Sequence, residues 1–206
     1  MELVLAARRP GGPGADGVYL SSVGLIVRRE GRSRSNRKKG KQMITSPKVV
    51  DRSEQPYVAV KSVVTMKEIG AAAGKFLGEV FGWVGGHGLT PAGAPFFKYN
   101  VVDMEHGLEI EFGVPTATLV AGDDRVVAST LPAGRYASLV YRGPYEQLYD
   151  ANAALLDWIR EQGLRMDVQG SPQGDRFGCR LEIYLTDPAV EKDPAKWETE
   201  VAIRLV

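Results

Sequence analysis

Apolar positions along this chain alternate between a strand rhythm and a helix rhythm, and the same succession is written twice. Residues 57–64 (YVAVKSVV) form a β-branched run. Ile69, Ala72, Ala73, Phe76, Val80 and Trp83 then recur at helical spacing and give one apolar face. Thr65 with Glu68 three residues later predicts a capping box at the start of that helix. Gly85 and Gly86 predict its end, because glycine adopts left-handed geometry readily. Two strands follow, at 96–102 and 108–114, linked by a hairpin at 103–107. In the second of them Leu108, Ile110, Phe112 and Val114 point one way, while Glu109, Glu111 and Gly113 point the other. That alternation predicts a half-buried strand, its glutamates either on a solvated side or adding to an acidic field.

After a further strand at 126–130 and a turn at Pro132-Ala-Gly134, the succession repeats. Residues 134–141 read as a strand, and 143–164 as a helix with Pro144 in its first turn, where a missing N–H costs nothing. Leu148, Ala151, Leu155, Trp158 and Ile159 supply its core stripe, and Gly163 closes it. Strands at 180–185 and at the C-terminus complete the copy, the last burying Val201, Ile203 and Leu205. Tandem βαββ units predict an α+β fold, with an antiparallel sheet, both helices on one face and a ligand cleft on the other. Leu181, Ile183 and Leu185 are expected to meet the helices. Glu182 and Tyr184, on the opposite side of that strand, are expected to face away from them into the cleft.

Charge divides the chain. Residues 1–50 carry eleven Lys/Arg against three Asp/Glu, and the remainder carries fifteen against twenty-two. The first fifty residues, with a glycine-rich stretch at 9–14 and a basic one at 28–41, read as a disordered extension before a domain at 51–206. Met43-Ile-Thr-Ser-Pro47 offers a natural beginning for that domain. Its acidity disfavours nucleic acid and favours cationic ligands. One cysteine, Cys179, excludes a disulfide framework and suits a reducing, cytoplasmic setting. Two histidines, His87 and His106, each beside glycine, fit turns better than a metal site. No apolar run has the length of a membrane span. The residues call for no metal and no cofactor, haem included.

Gly143-Pro-Tyr-Glu146, opening a helix that ends in Trp158-Ile-Arg-Glu-Gln-Gly163, resembles the second repeat of the GyrI-like family. So does Leu181-Glu-Ile-Tyr-Leu-Thr-Asp-Pro188 followed by Trp197-Glu-Thr-Glu-Val201, while Pro56-Tyr-Val-Ala-Val60 and residues 107–115 resemble the first. These domains also serve as effector-binding, multidrug-binding modules of AraC- and MerR-type transcription regulators. The resemblance implies pseudo-two-fold symmetry between the units and an amphiphilic cleft in which a glutamate pairs with lipophilic cations among aromatic rings. Glu182 falls at that glutamate's place in the Glu-x-Tyr strand motif. Tyr184, Tyr99, Tyr141, Tyr145, Tyr149, Trp83 and Trp197 are the candidate rings.

The chain departs from the family in Ala202-Ile-Arg-Leu-Val206, which lacks the proline common there, and residues 1–50 hold no helix-turn-helix. A stand-alone sequestration or sensing module for small lipophilic or cationic molecules is therefore expected. Some relatives are hydrolases that open strained cyclopropane rings. That chemistry would cast Glu182 as general base and Tyr145 as proton donor. A third reading is a protein-binding module of the gyrase-inhibitor kind. A structural salt bridge from Glu182 to Arg180 or Arg142 is the plain alternative to any site.

Overall fold

The computed structural model describes residues 43–206; the glycine-rich and basic stretches of the N-terminal extension lie outside the described residues. The elements in chain order are β1 (Met43–Ile44), β2 (Lys48–Arg52), β3 (Gln55–Val64), α1 (Ile69–Gly86), β4 (Phe96–Asp103) and β5 (Gly107–Pro115). They continue with β6 (Val127–Leu131), β7 (Gly134–Arg142), α2 (Leu148–Glu161), β8 (Val168–Ser171), β9 (Gly174–Phe177), β10 (Arg180–Tyr184) and β11 (Glu198–Arg204). Strand β1 and residues 48–50 of β2 fall inside the stretch expected to be disordered. Order begins there because both pair with β7, from Met43 opposite Arg142 to Arg52 opposite Gly134.

All the strands pair antiparallel in one mixed α+β architecture, and the order β7-β11-β10-β4-β5-β3 reads alike from both ends. Each βαββ unit places its first strand outermost and its second at the middle, so β10 and β4 meet where the two units join. Strand β4 shares that edge with two partners. Phe96, Phe97 and Lys98 pair with β10, whereas Val101 and Val102 pair with the β8–β9 hairpin. An irregularity between Tyr99 and Val101 marks the change. Such bulges re-aim the neighbouring side chain.

Helix ends follow local chemistry with one shift. Glu68 accepts from the Thr65 N–H at 2.9 Å, as a capping box requires, but the Thr65 hydroxyl donates to the same carboxylate at 2.8 Å. The left-handed residue that ends α1 is Gly88, at φ +66°, rather than Gly85 or Gly86. Leu89 N–H then reaches Val84 O at 3.0 Å, and Gly163 with Leu164 closes α2 by the same bond to Ile159 O.

Both faces of the sheet are buried, which the sequence pattern did not convey. On the helix side Val58, Val60, Leu108, Ile110, Phe112 and Leu139 pack beneath Phe76, Val80, Leu155 and Ile159. On the other side Tyr57, Ala59, Phe96, Tyr136, Cys179, Leu181 and Ala202 form a second cluster. That cluster is enclosed because β2–β3 and β6–β7 behave as two long bent strands. Their pairing runs in one register from Lys48 opposite Ser138 to Ala59 opposite Val127, across the bends at 53–54 and 132–133. The outer ends of the six-strand order are thereby drawn together over the face expected to stay open.

Candidate functional site

Strand β10 sends Arg180, Glu182 and Tyr184 toward the helices, and Leu181 and Ile183 toward the second cluster. This reverses the expected orientation. Leu181 and Ile183 meet Phe96, Tyr136 and their neighbours instead of α1 and α2, and Leu185 lies past the strand, half exposed. Glu182 consequently borders a hollow of about 500 Å³ on the helix face, between the start of α1 and the start of α2. Its walls are mainly apolar, with Met66, Ile69, Val102, Met104, Leu108 and Leu148 around the polar group.

Glu182 is 7% exposed. Its Oε2 accepts from the Tyr99 hydroxyl at 2.8 Å and from the Tyr184 hydroxyl at 3.1 Å, and its Oε1 accepts from Asn152 Nδ2 at 2.8 Å. All three partners are neutral donors. Both phenols are held well above their ordinary range, by burial first and by the adjacent carboxylate second, so they stay protonated. Asn152 stands inside the apolar stripe of α2, where its other amide hydrogen is spent on Leu148 O at 3.0 Å. Arg180 Nη2 donates to Asn152 Oδ1 at 2.9 Å. Because a guanidinium has donors only, it turns the amide oxygen toward itself and the amide N–H₂ toward Glu182.

Arg180 is buried as well, with its guanidinium 5.6 Å from the Tyr99 ring centre and 5.1 Å from that of Phe177. Burial is the largest influence on it and lowers its pKa, while Tyr99, Glu182 and Asp175 act in the opposite direction. Nε and Nη1 have no hydrogen-bond partner. The expected alternative, a direct salt bridge to the carboxylate, is replaced by this relay through Asn152.

The structure brings five of the candidate residues to the hollow: Glu182, Tyr184, Tyr99, Tyr145 and Tyr149. Tyr145 packs edge-on against Tyr184, with ring centres 5.2 Å apart, and Tyr149 stands at the rim, half exposed. Three do not line it. Tyr141 is fully buried and donates to Pro144 O at 3.0 Å, bracing the entry to α2. Trp197 backs Tyr145 from behind at 4.5 Å and donates to Glu191 O. Trp83 lies near the C-terminal end of α1, stacked on His87 and bonded to Asp123 at 2.6 Å. Asn152 and Arg180 were not among the candidates. An asparagine within the apolar stripe of a helix was the available signal for the first, and residue parity with Glu182 for the second.

Residues 45–206 match the GyrI-like small molecule binding domain. This chain belongs to the GyrI-like family. Among solved structures, the GyrI-like chain is similar to the EcmrR C-terminal domain, with a TM-score of 0.62 at 16% identity over 78% of this chain and 97% of that one. EcmrR in a DNA complex gives a TM-score of 0.63 at 16% identity over 78% of this chain, which spans 57% of that longer chain. SAV2435 bound to tetraphenylphosphonium gives 0.52 at 11% identity over 79% and 94%. No curated protein matches the sequence. At these identities the structures speak for a shared fold. Among the described residues no helix is long and apolar enough to cross a membrane, and no three metal-ligating side chains gather in one place.

Proposed function

We propose that this GyrI-like chain binds small lipophilic cations in the hollow between α1 and α2, with Glu182 as the counter-charge. The observation that carries this reading is a buried carboxylate whose hydrogen-bond partners are all neutral, set in a mainly apolar wall. A carboxylate withdrawn from water costs free energy that hydrogen bonds offset only in part, and an entering cation offsets more. Arg180 makes no ion pair with Glu182: its Nη2 is turned to Asn152 Oδ1, and the two charges act on each other only through space. Tyrosine rings on the wall add cation–π attraction of about 0.5–2 kcal/mol each. SAV2435, similar in fold, was solved with a lipophilic cation bound. The lone, buried Cys179 fits a cytoplasmic setting.

The test is a thermal-shift panel of tetraphenylphosphonium and cationic dyes on the native chain and on Glu182→Gln. Glutamine keeps the size and one acceptor oxygen while removing the charge. The expected result is a clear stabilisation of the native chain that shrinks by more than half in the variant. Equal shifts in both proteins would remove Glu182 from the site. Ring-opened product from a cyclopropane-bearing alkylator, lost in Glu182→Gln, would assign hydrolysis to the same hollow.

A further inference from the structure

Arg180 and Glu182 share one side of β10, and hydrogen bonds are divided unevenly between them. Glu182 has the donors of Tyr99, Tyr184 and Asn152, whereas the whole guanidinium of Arg180 has one acceptor, Asn152 Oδ1. Its Nε and Nη1 are shut away from water with no partner. A buried cation in that state costs free energy, and a carboxylate on the same side of the strand is the acceptor best placed to relieve it. Same-side neighbours along a strand lie about 7 Å apart, within reach of an arginine side chain. The fold thus carries its own cation for Glu182, and the two make no ion pair.

Asn152 is bonded to both. It is buried on α2 among Leu148, Ala151, Leu155 and Leu156, where an amide side chain is costly unless its hydrogen bonds are made. Its Nδ2 serves Glu182 Oε1 and Leu148 O, and its Oδ1 serves Arg180 Nη2. The two ends of an amide are not interchangeable: the nitrogen end suits a carboxylate and the oxygen end a guanidinium. The bond to Leu148 O comes from the helix backbone itself, so α2 fixes the place of the amide independently of either charge.

We propose that Asn152 is the positioning residue of the site, a spacer that keeps Arg180 from becoming the internal counter-ion of Glu182. Without its amide, Glu182 Oε1 loses a donor and Arg180 loses its one acceptor, on the same side of the same strand. The guanidinium then turns to the carboxylate, and an incoming cation meets a charge that is already neutralised. Asn152 decides in this way whether the glutamate belongs to the scaffold or to a ligand. The inference rests on the reading of Glu182 as counter-charge and adds what keeps that charge available.

Asn152→Ala removes the spacer and leaves room for the guanidinium, room that leucine would fill. Asn152→Ser does the same while keeping a hydroxyl too short to bridge to Arg180. Calorimetric titration with tetraphenylphosphonium is expected to show binding weakened about tenfold in each. Adding Arg180→Met to Asn152→Ala is expected to recover most of that loss, because the internal competitor is gone and an apolar side chain in place of a buried charge is tolerated. Plain damage to the fold would not be repaired by deleting a second buried side chain. A crystal structure of Asn152→Ala is expected to show a guanidinium nitrogen of Arg180 in ion-pair contact with Glu182. Cation affinity undiminished in Asn152→Ala and Asn152→Ser, as would follow if Arg180 turned to Asp175 instead, would overturn the spacer while leaving Glu182 in place. So would a loss that Arg180→Met does not repair. A native chain that binds no cation, or a Glu182→Gln variant that binds as tightly, would overturn the counter-charge and the spacer together.

Discussion

Two glutamates are buried on opposite faces of the same sheet, and their surroundings differ in one respect that separates structure from function. Glu111, on β5, is 8% exposed, bonded by the Tyr57 hydroxyl and by Asn100 Nδ2 at 2.7 Å. Lys98 Nζ lies 3.4 Å from it and also bonds Asn100. Glu182 has the same kinds of neutral partner, tyrosine hydroxyls and an asparagine amide, but the nearby cation is turned to the asparagine. It also borders the hollow between α1 and α2, which Glu111 does not line. A carboxylate whose charge is compensated within the fold is part of the scaffold; one left with neutral donors beside open space is poised for a ligand.

The largest effect that would break this comparison is on stability. Glu111→Ala leaves the mostly buried Lys98 ammonium without its carboxylate and takes the acceptor from Tyr57 and Asn100. Removing one partner of a buried pair costs about 3 kcal/mol. Urea unfolding should show a loss of that order with cation affinity within twofold of native. Unchanged stability, or lost binding, would merge the two glutamates into one class. Asn152→Leu should cost about 2 kcal/mol in the same assay, because it strands Arg180 Nη2 and one acceptor of Glu182 in the interior. A variant as stable as the native chain would show that the relay through Asn152 carries little.

Effects of pH sharpen the picture. Tyr99 and Tyr184 have raised pKa values, so folding favours their neutral form. The resulting stability is complete below the unfolded tyrosine value of about 10 and falls as pH rises past it. Absorbance at 295 nm should show these two phenols ionising only with alkaline unfolding, which Tyr99→Phe and Tyr184→Phe identify by loss of amplitude. Ionisation well before unfolding would mean that water reaches them freely.

The smallest expected effect lies away from the site, in the β4–β5 turn. There Asp103 accepts from His106 at 2.8 Å and raises the imidazole pKa. The contribution is complete below the unfolded histidine value, about 6.5, and is lost as pH rises through the higher folded value. An NMR titration should place the His106 midpoint above its ordinary value and return it there in Asp103→Asn.

How much of this was legible depended on range. The βαββ succession, the strand run at 57–64 and the Gly163 helix end are local patterns, and each follows from residue spacing. The facing of β10 was not local. Alternation of Leu181 and Ile183 with Glu182 and Tyr184 says that two sides differ, yet both sides of this sheet are buried, so hydrophobicity alone could not choose which meets the helices. Glu111 looked solvated for a related reason: Lys98 lies thirteen residues away and Tyr57 fifty-four, and pairing brings them together only in the folded sheet. The bent ladder that encloses the second cluster depends on one register maintained across two short breaks, and no short window of sequence displays it.

Opposite charges on one shape give the most direct trial of Glu182. Tetraphenylphosphonium and tetraphenylborate have nearly the same size and apolar surface but differ in sign. Calorimetric titration of the native chain with each should show the cation bound at least tenfold more tightly, a difference of about 1.4 kcal/mol. In Glu182→Gln that preference should collapse to within about threefold, while Glu111→Gln retains it. Equal affinity of the native chain for both ions, or a preference undiminished in Glu182→Gln, would contradict the account.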